Sequence, residues 1–199
     1  DAVAVTRSLG YRYLWVDKYC IDQHNEKEKA YQLEMMDQIY EKADLTIVAA
    51  AGCDDTYGLP GAGRRSMRPR TRQSVARLQK HAFISCDRLT IKTLWSTQWF
   101  NRGWTFQEMI LSTRCLIFTE SQAILACRTT TYYEEFPHFP GSASERPLLP
   151  SILPDIQGGL SFLELENQIS GYLGRTLSYQ ADALNAFKGL LNRAWYFSY

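Results

Sequence analysis

The apolar positions along the chain change period several times, and those changes predict its elements. Residues 2–9 place Ala2, Val3, Val5 and Leu9 before Gly10, the pattern of a short helix with a glycine stop. Residues 11–16 read Tyr-Arg-Tyr-Leu-Trp-Val, which predicts a buried strand. A polar loop over residues 17–23 follows at its carboxyl end. Asn25 then stands as an N-cap, with Glu26 and Glu28 in the first helical turn. Leu33, Met36, Ile39, Tyr40 and Ala43 recur at three- and four-residue steps and predict one amphipathic helix. Residues 45–51 form a strand-sized apolar run. Residues 1–51 therefore predict helix, strand, helix, strand: a right-handed parallel β-α-β pattern.

Further along, residues 52–63 are turn-rich. Residues 89–99 and 104–111 predict helices on either side of a short break at 101–103. Residues 115–118 and 122–127 predict a strand pair joined by a turn at 119–121. Beyond Cys127 the character shifts. Residues 136–154 are proline-rich and irregular, and residues 162–172 and 182–191 predict two more helices, the second capped by Asp182.

Composition narrows the class. With 199 residues, 45% of them hydrophobic and 22% charged, the chain is long and apolar enough for one ordinary core and is not a disordered segment. The net charge of +1 gives no overall attraction to nucleic acid or an anionic membrane. No run reaches the roughly 18 apolar residues of a membrane span. The charge is unevenly spread, however. Between residues 56 and 86 there is no acid, against Arg64, Arg65, Arg68, Arg70, Arg72, Arg77 and Lys80. Such a loop can contact a small anion or nucleic acid, or simply be solvated; aromatic interleaving for single-strand binding is absent. The five cysteines form no C-x-x-C pair and no zinc-ligand spacing, so they read as reduced thiols of a cytoplasmic protein with no metal site.

Candidate chemistry falls in three places. In an open α/β sheet, ligands bind beyond the carboxyl ends of parallel strands. The first such end carries Asp17, Lys18, Tyr19, Cys20, Asp22 and Gln23, and the second carries Cys53, Asp54 and Asp55. Aspartates at strand ends also serve as caps and turn formers. The third place is residues 99–108, where Arg102, Gln107 and Glu108 stand among Trp99, Phe100, Trp104 and Phe106. A carboxylate in apolar surroundings has a raised pKa and can act as a general acid or base, or stabilise a developing cation. The structural alternative is an Arg102–Glu108 pair that anchors a helix. His24, His81 and His138 stand in unrelated contexts, and there is no phosphate-binding glycine loop.

The blocks together resemble a known family. Tyr-Leu-Trp-Val-Asp-Lys-Tyr-Cys-Ile-Asp-Gln at 13–23 is followed by Gln32, Met36, Ile39, Tyr40 and the run from Ala43 to Ala50. Gly58-Leu-Pro-Gly61 comes next, then Trp99 and Arg-Gly-Trp-Thr-Phe-Gln-Glu-Met-Ile-Leu-Ser-Thr-Arg at 102–114. This set is similar to the heterokaryon-incompatibility (HET) domain of filamentous fungi. Arg175, Leu177 and residues 182–187 resemble the stretch that often follows such domains.

The resemblance implies non-self recognition and programmed cell death through self-association and signalling, with other incompatibility or signalling proteins as partners; no membrane partner is expected, and nucleic-acid contact through the basic residues 64–80 stands as a second alternative. It also implies a fold like that of Toll/interleukin-receptor (TIR) domains: a flavodoxin-like, three-layer parallel sheet with helices on both faces, here with a small strand pair and a helical extension. Some TIR domains cleave NAD, using a glutamate on a helix. By that likeness the alternative to a signalling module is an NAD hydrolase that releases nicotinamide, with Glu108 as the catalytic candidate, Asp17, Cys20, Asp22, Gln23, Arg102 and Trp104 as the substrate contacts and NAD as substrate; no cofactor is expected. Family members open with a Tyr-x-Ala-Leu-Ser-Tyr-x-Trp-Gly block that has no counterpart here. The organisation expected is a HET domain over 1–128 lacking its first strand, a proline-rich connector over 129–160 and a truncated helical extension over 161–199.

Overall fold

The computed structural model describes residues 1–62, 70, 74–85, 94–134, 151–154, 156 and 160–195. In chain order the elements are α1 (Ala2–Ser8), α2 (Asp17–Cys20), α3 (Glu26–Glu34), α4 (Met36–Lys42), β1 (Thr46–Ala49), β2 (Val75–Leu78), β3 (His81–Ile84), α5 (Gln98–Asn101), α6 (Gly103–Leu111), β4 (Arg114–Phe118), β5 (Ala123–Cys127), β6 (Thr131–Tyr133), α7 (Phe162–Leu173) and, after a 3-10 turn at Gln180–Asp182, α8 (Asn185–Trp195).

Local signals account for most of these boundaries. The Asn25 side chain accepts the Glu28 N–H at 3.2 Å and starts α3. The single helix expected up to Ala43 is divided at Met35 (φ −94°, ψ 1°), whose N–H is shared between the carbonyls of Tyr31 and Gln32. That three-centre bond tightens the turn and re-aims α4, so Met36 becomes buried. At α7 a full capping box forms: Ser161 accepts from the Glu164 N–H, and the Glu164 carboxylate accepts from the Ser161 N–H at 2.8 Å.

The sheet has the order β1-β4-β5-β6. Only β1 and β4 run parallel, with Thr46 opposite Cys115 and Ala49 opposite Phe118; the other two pairs are antiparallel. The expected parallel sheet is therefore corrected to a mixed one. The residues between β4 and β5 are too few for the crossover that a parallel neighbour requires, so the chain must turn back. Thr119 clamps that turn by donating to the Gln122 carbonyl at 2.8 Å and accepting the Gln122 N–H at 3.1 Å.

The strand expected over residues 11–16 does not form. A strand exists through its ladder, and this segment has none. It lines a cavity together with Thr46, Ile47 and Ala49 of β1. β1 is thus an edge strand among the described residues, and the expected parallel β-α-β unit over residues 1–51 is reduced to helices followed by β1.

Both faces of the sheet are covered, because β4 alternates. Cys115 and Ile117 join Val48, Ile124 and Ala126 on one face, against Trp99 of α5 and Met109 of α6. Leu116 and Phe118 join Ile47 and Ala123 on the other, against Ala2 and Val5 of α1 and the loop residues Leu59 and Ala62. Helix α6 is itself packed on a second side. Phe106, Ile110 and Leu111 meet Tyr172 of α7 and Ala186, Phe187 and Leu190 of α8. Burying each such large side chain contributes roughly 1.5–3 kcal/mol. This central helix is apolar nearly all round, and it carries Glu108.

The remaining hairpin, β2–β3, was not expected from a stretch dominated by positive charge. It pairs Val75 with Ile84 and Leu78 with His81 around a tight turn in which Gln79 takes φ +53°. Of the seven basic residues, Arg64, Arg65, Arg68 and Arg72 lie outside the described residues, as do residues 89–93 of the helix predicted over 89–99; its described remainder is interrupted at Ser96–Thr97, where Thr97 caps α5. Arg70 is turned inward: it pairs with Glu134, donates from Nε to the Pro60 carbonyl at 2.7 Å and lies over the Phe118 ring.

Candidate functional site

Residues of α1, the segment 11–17, α4 and β1, together with Arg102 and Glu108, line an open cavity of about 650 Å³. Its walls are Leu14, Trp15, Val16, Ile39, Tyr40 and Ile47, and its polar groups include Asp17, Lys42, Thr46, Arg102 and Glu108. An apolar cavity with a few convergent polar groups is the usual form of a ligand site. A second cavity, about 230 Å³, is lined by Leu94, Trp95, Phe100, Met109 and their neighbours, with no ionisable side chain among the described residues that line it.

Glu108 is the chemically distinctive group. It lies in the second turn of α6, half-buried in the cavity lining. Removal from water pushes its carboxyl up to about 7, and the Asp17 carboxylate adds to that rise. The guanidinium groups of Arg102 and Arg175 and a hydrogen bond from the Trp99 side chain pull the other way. The balance leaves a carboxyl that is half ionised near neutrality, able to take or give a proton.

Tyr40 faces it from α4. Burial, followed by the negative charges of Glu108 and Asp17, raises its pKa. Tyr40 remains a neutral donor throughout the physiological range. Below, the Ser112 hydroxyl bridges the Glu108 carbonyl, at 2.6 Å, and the Thr46 hydroxyl, at 2.6 Å, tying the end of α6 to β1.

Of the residues singled out from sequence, Asp17, Arg102 and Glu108 meet at this cavity. Four stand elsewhere. Cys20 is exposed, and its sulfur accepts the Val16 N–H within the single turn of α2. Asp22 accepts the His24 N–H at 2.9 Å, an Asx turn. Gln23 donates to the Ile21 carbonyl at 3.2 Å. Trp104 turns away from the cavity, its indole N–H reaching Asp182 at 3.4 Å. At the end of β1, Cys53 is exposed, Asp54 accepts from both the N–H and hydroxyl of Thr56, and Asp55 pairs with Lys18 at 2.9 Å. Gly52 makes the bend there: at φ +74°, with the Tyr57 ring over its α-carbon, the position excludes any side chain.

Sequence reasoning placed Tyr40 only on a helical apolar stripe. The available signal was its hydroxyl, since a buried tyrosine usually finds a polar partner. Trp99 as a donor to Glu108 carried no such signal. No group of three or more metal-ligating side chains occurs among the described residues, and no described helix is long and apolar enough to cross a membrane.

Comparison with known proteins agrees with this geometry in extent. The family model described as Heterokaryon incompatibility protein (HET) matches residues 1–108, a stretch that runs from α1 to Glu108 itself. No curated protein and no solved structure matches the chain at a significant level. The chain belongs to the heterokaryon incompatibility (HET) family, and membership implies a role in heterokaryon incompatibility.

Proposed function

We propose that this protein triggers cell death in vegetative incompatibility and that its output runs through hydrolysis of NAD at the Glu108 cavity. The observation that supports this reading is the convergence of Glu108, Tyr40, Arg102 and Asp17 at one apolar cavity of about 650 Å³. Hydrolysis breaks the bond between ribose C1 and the nicotinamide nitrogen, whose electron pair leaves with nicotinamide. Water then adds at C1 and loses a proton. Ionised Glu108 is suited to stabilise the cationic ribose centre and to take that proton, while Arg102 is suited to the pyrophosphate. A TIR-like ancestry is supported by the parallel β1–β4 pair with helices packed on both faces.

Self-association and contact with other incompatibility proteins form the signalling side of the proposal. Exposed Phe162, Leu163 and Leu173 on α7 offer apolar surface for it. Nucleic acid is the weaker reading of the basic stretch, since Arg70 is spent on an internal ion pair. The test is induced expression in a filamentous fungus. Wild-type protein should kill hyphae and Glu108→Gln should leave them viable; killing by Glu108→Gln at the wild-type level would refute the cavity's role.

A further inference from the structure

The family match ends at Glu108, yet the surroundings of Glu108 do not. Between α7 and α8 the chain crosses back over the α5–α6 junction as a strap. The Gly103 N–H donates to the Thr176 carbonyl at 2.7 Å, and the Thr176 N–H donates to the Asn101 carbonyl at 2.7 Å. Together they make a parallel bridge between Arg102 and Thr176. Leu177 sits so close to Gly103 that a β-carbon there would lie 2.3 Å from it. These contacts lock the strap to the first turn of the helix that carries Glu108.

The strap delivers one cation. The Arg175 guanidinium lies 4.1 Å from the centre of the Phe100 ring and 5.1 Å from that of Phe106. It donates to the Thr105 hydroxyl at 3.2 Å and, more weakly, to the Arg102 carbonyl at 3.4 Å. Its Nε is buried and makes no hydrogen bond among the described residues. No carboxylate forms an ion pair with it there; the Thr105 that it bonds stands three residues before Glu108 on the same face of α6, and Glu108 is the carboxylate whose field acts on it. An arginine held in a low-dielectric position by two rings and a backbone clamp acts through its charge at a distance.

We propose that Arg175 is a positioning residue for Glu108, so that the strap between α7 and α8 completes a site whose other groups come from residues 1–108. The inference rests on reading Glu108 as the working group of the cavity. The groups facing Glu108 are then Tyr40 from α4, Asp17 from α2, Trp99 and Arg102 from α5 and its end, Cys115 from β4 and Arg175 from the strap. The strap sets how much negative charge Glu108 carries at a given pH, and anything that displaces the strap makes Glu108 harder to ionise.

The experiment is a pH titration of the glutamate side-chain carboxyls by carbon-13 NMR, on the whole protein without substrate. Glu108→Gln identifies the Glu108 signal by its disappearance. Arg175→Met keeps the packing on Phe100 and Phe106 and removes the charge; Arg175→Lys keeps the charge. The expected result is a Glu108 midpoint that rises above the wild-type value in Arg175→Met and returns toward it in Arg175→Lys. A purely structural role would move both variants alike. Equal midpoints in wild type and Arg175→Met, or an equal shift in both variants, overturns the proposal. Should Arg175→Met fail to fold, Leu177→Ala loosens the strap with no change of charge: a raised midpoint supports the proposal and an unchanged one overturns it. Because no substrate is present, the outcome is separate from whether the cavity hydrolyses NAD.

Discussion

Tyr40 on α4 and Glu108 on α6 line one cavity, and the charge of the Glu108 carboxyl acts on the Tyr40 hydroxyl. Holding that carboxyl in a largely dry position has a stability consequence with a definite sign. The Glu108 carboxyl titrates near 7 in the folded protein, against 4.5 as its ordinary value. Between those values the folded state holds a proton that the unfolded state has released. Glu108 is therefore neutral to stability below about pH 4 and increasingly costly as pH rises to about 8. Glu108→Gln removes that cost. Its stabilising effect is expected to be about 2 kcal/mol larger at pH 8.5 than at pH 5.5. Urea denaturation of the two proteins at the two pH values measures this, and a pH-independent difference would mean that the carboxyl is not desolvated.

The hydroxyl itself is tested by Tyr40→Phe. The hydroxyl is a neutral donor within the field of Glu108, and a donor bonded to an ionised partner contributes roughly 1.5–3 kcal/mol, against about 1 kcal/mol for a neutral one. The substitution should therefore destabilise the protein more at pH 8.5, where Glu108 is charged, than at pH 5.5. Equal losses at both would place the hydroxyl on another partner.

Gly189 marks the closest approach of three helices. A β-carbon there would lie 2.8 Å from Leu111 of α6 and 2.9 Å from the Asp37 β-carbon of α4. Alanine is favoured over glycine in a helix by about 1 kcal/mol, but overpacking costs roughly 1–3 kcal/mol. Asp37 cannot retreat without moving α4, so Gly189→Ala should lower the melting temperature despite its better propensity. A raised melting temperature would show that the α4–α6–α8 crossing is looser than described.

The thiols should divide by burial. Cys115 is fully buried and its thiol is pushed up to about 12, chiefly by removal from water. Cys20 and Cys53 are exposed, and Cys127, partly exposed, has its thiol pKa lowered by hydrogen bonds from Thr129 and its backbone neighbours. Iodoacetamide on the native protein, read by peptide mass mapping, should label Cys20, Cys53 and Cys127 and spare Cys115 until denaturant is added. Labelling of native Cys115 at a comparable rate would contradict the packing of the β1–β4 core.

Elements that carry their own signal were legible in the sequence. The alternation Cys115, Ile117 against Leu116, Phe118 marks a strand covered on both faces, and the short turn at Thr119 forces the antiparallel return. Asn25 announced the start of α3. Residues 11–16 misled for a physical reason: strand composition reports suitability for a ladder, while the ladder itself needs a neighbour that the periodicity of one segment cannot reveal. The β2–β3 hairpin was hidden because its residues read first as a charge run. Within the site, Glu108, Arg102 and Asp17 stood out as polar residues at the expected places. Tyr40 and Arg175 did not, since each acquires its role from a partner 68 or 67 positions away in the chain.

The central claim is that the Glu108 cavity is the working centre of this protein, and the most direct measurement is nicotinamide release from NAD by purified protein at neutral pH, followed by chromatography. Wild-type protein should release nicotinamide, and Glu108→Gln should lose at least about a hundredfold of that rate, the scale of a positioned acid-base group. Release by Glu108→Gln at the wild-type rate, or none from correctly folded wild-type protein at high concentration, would contradict it.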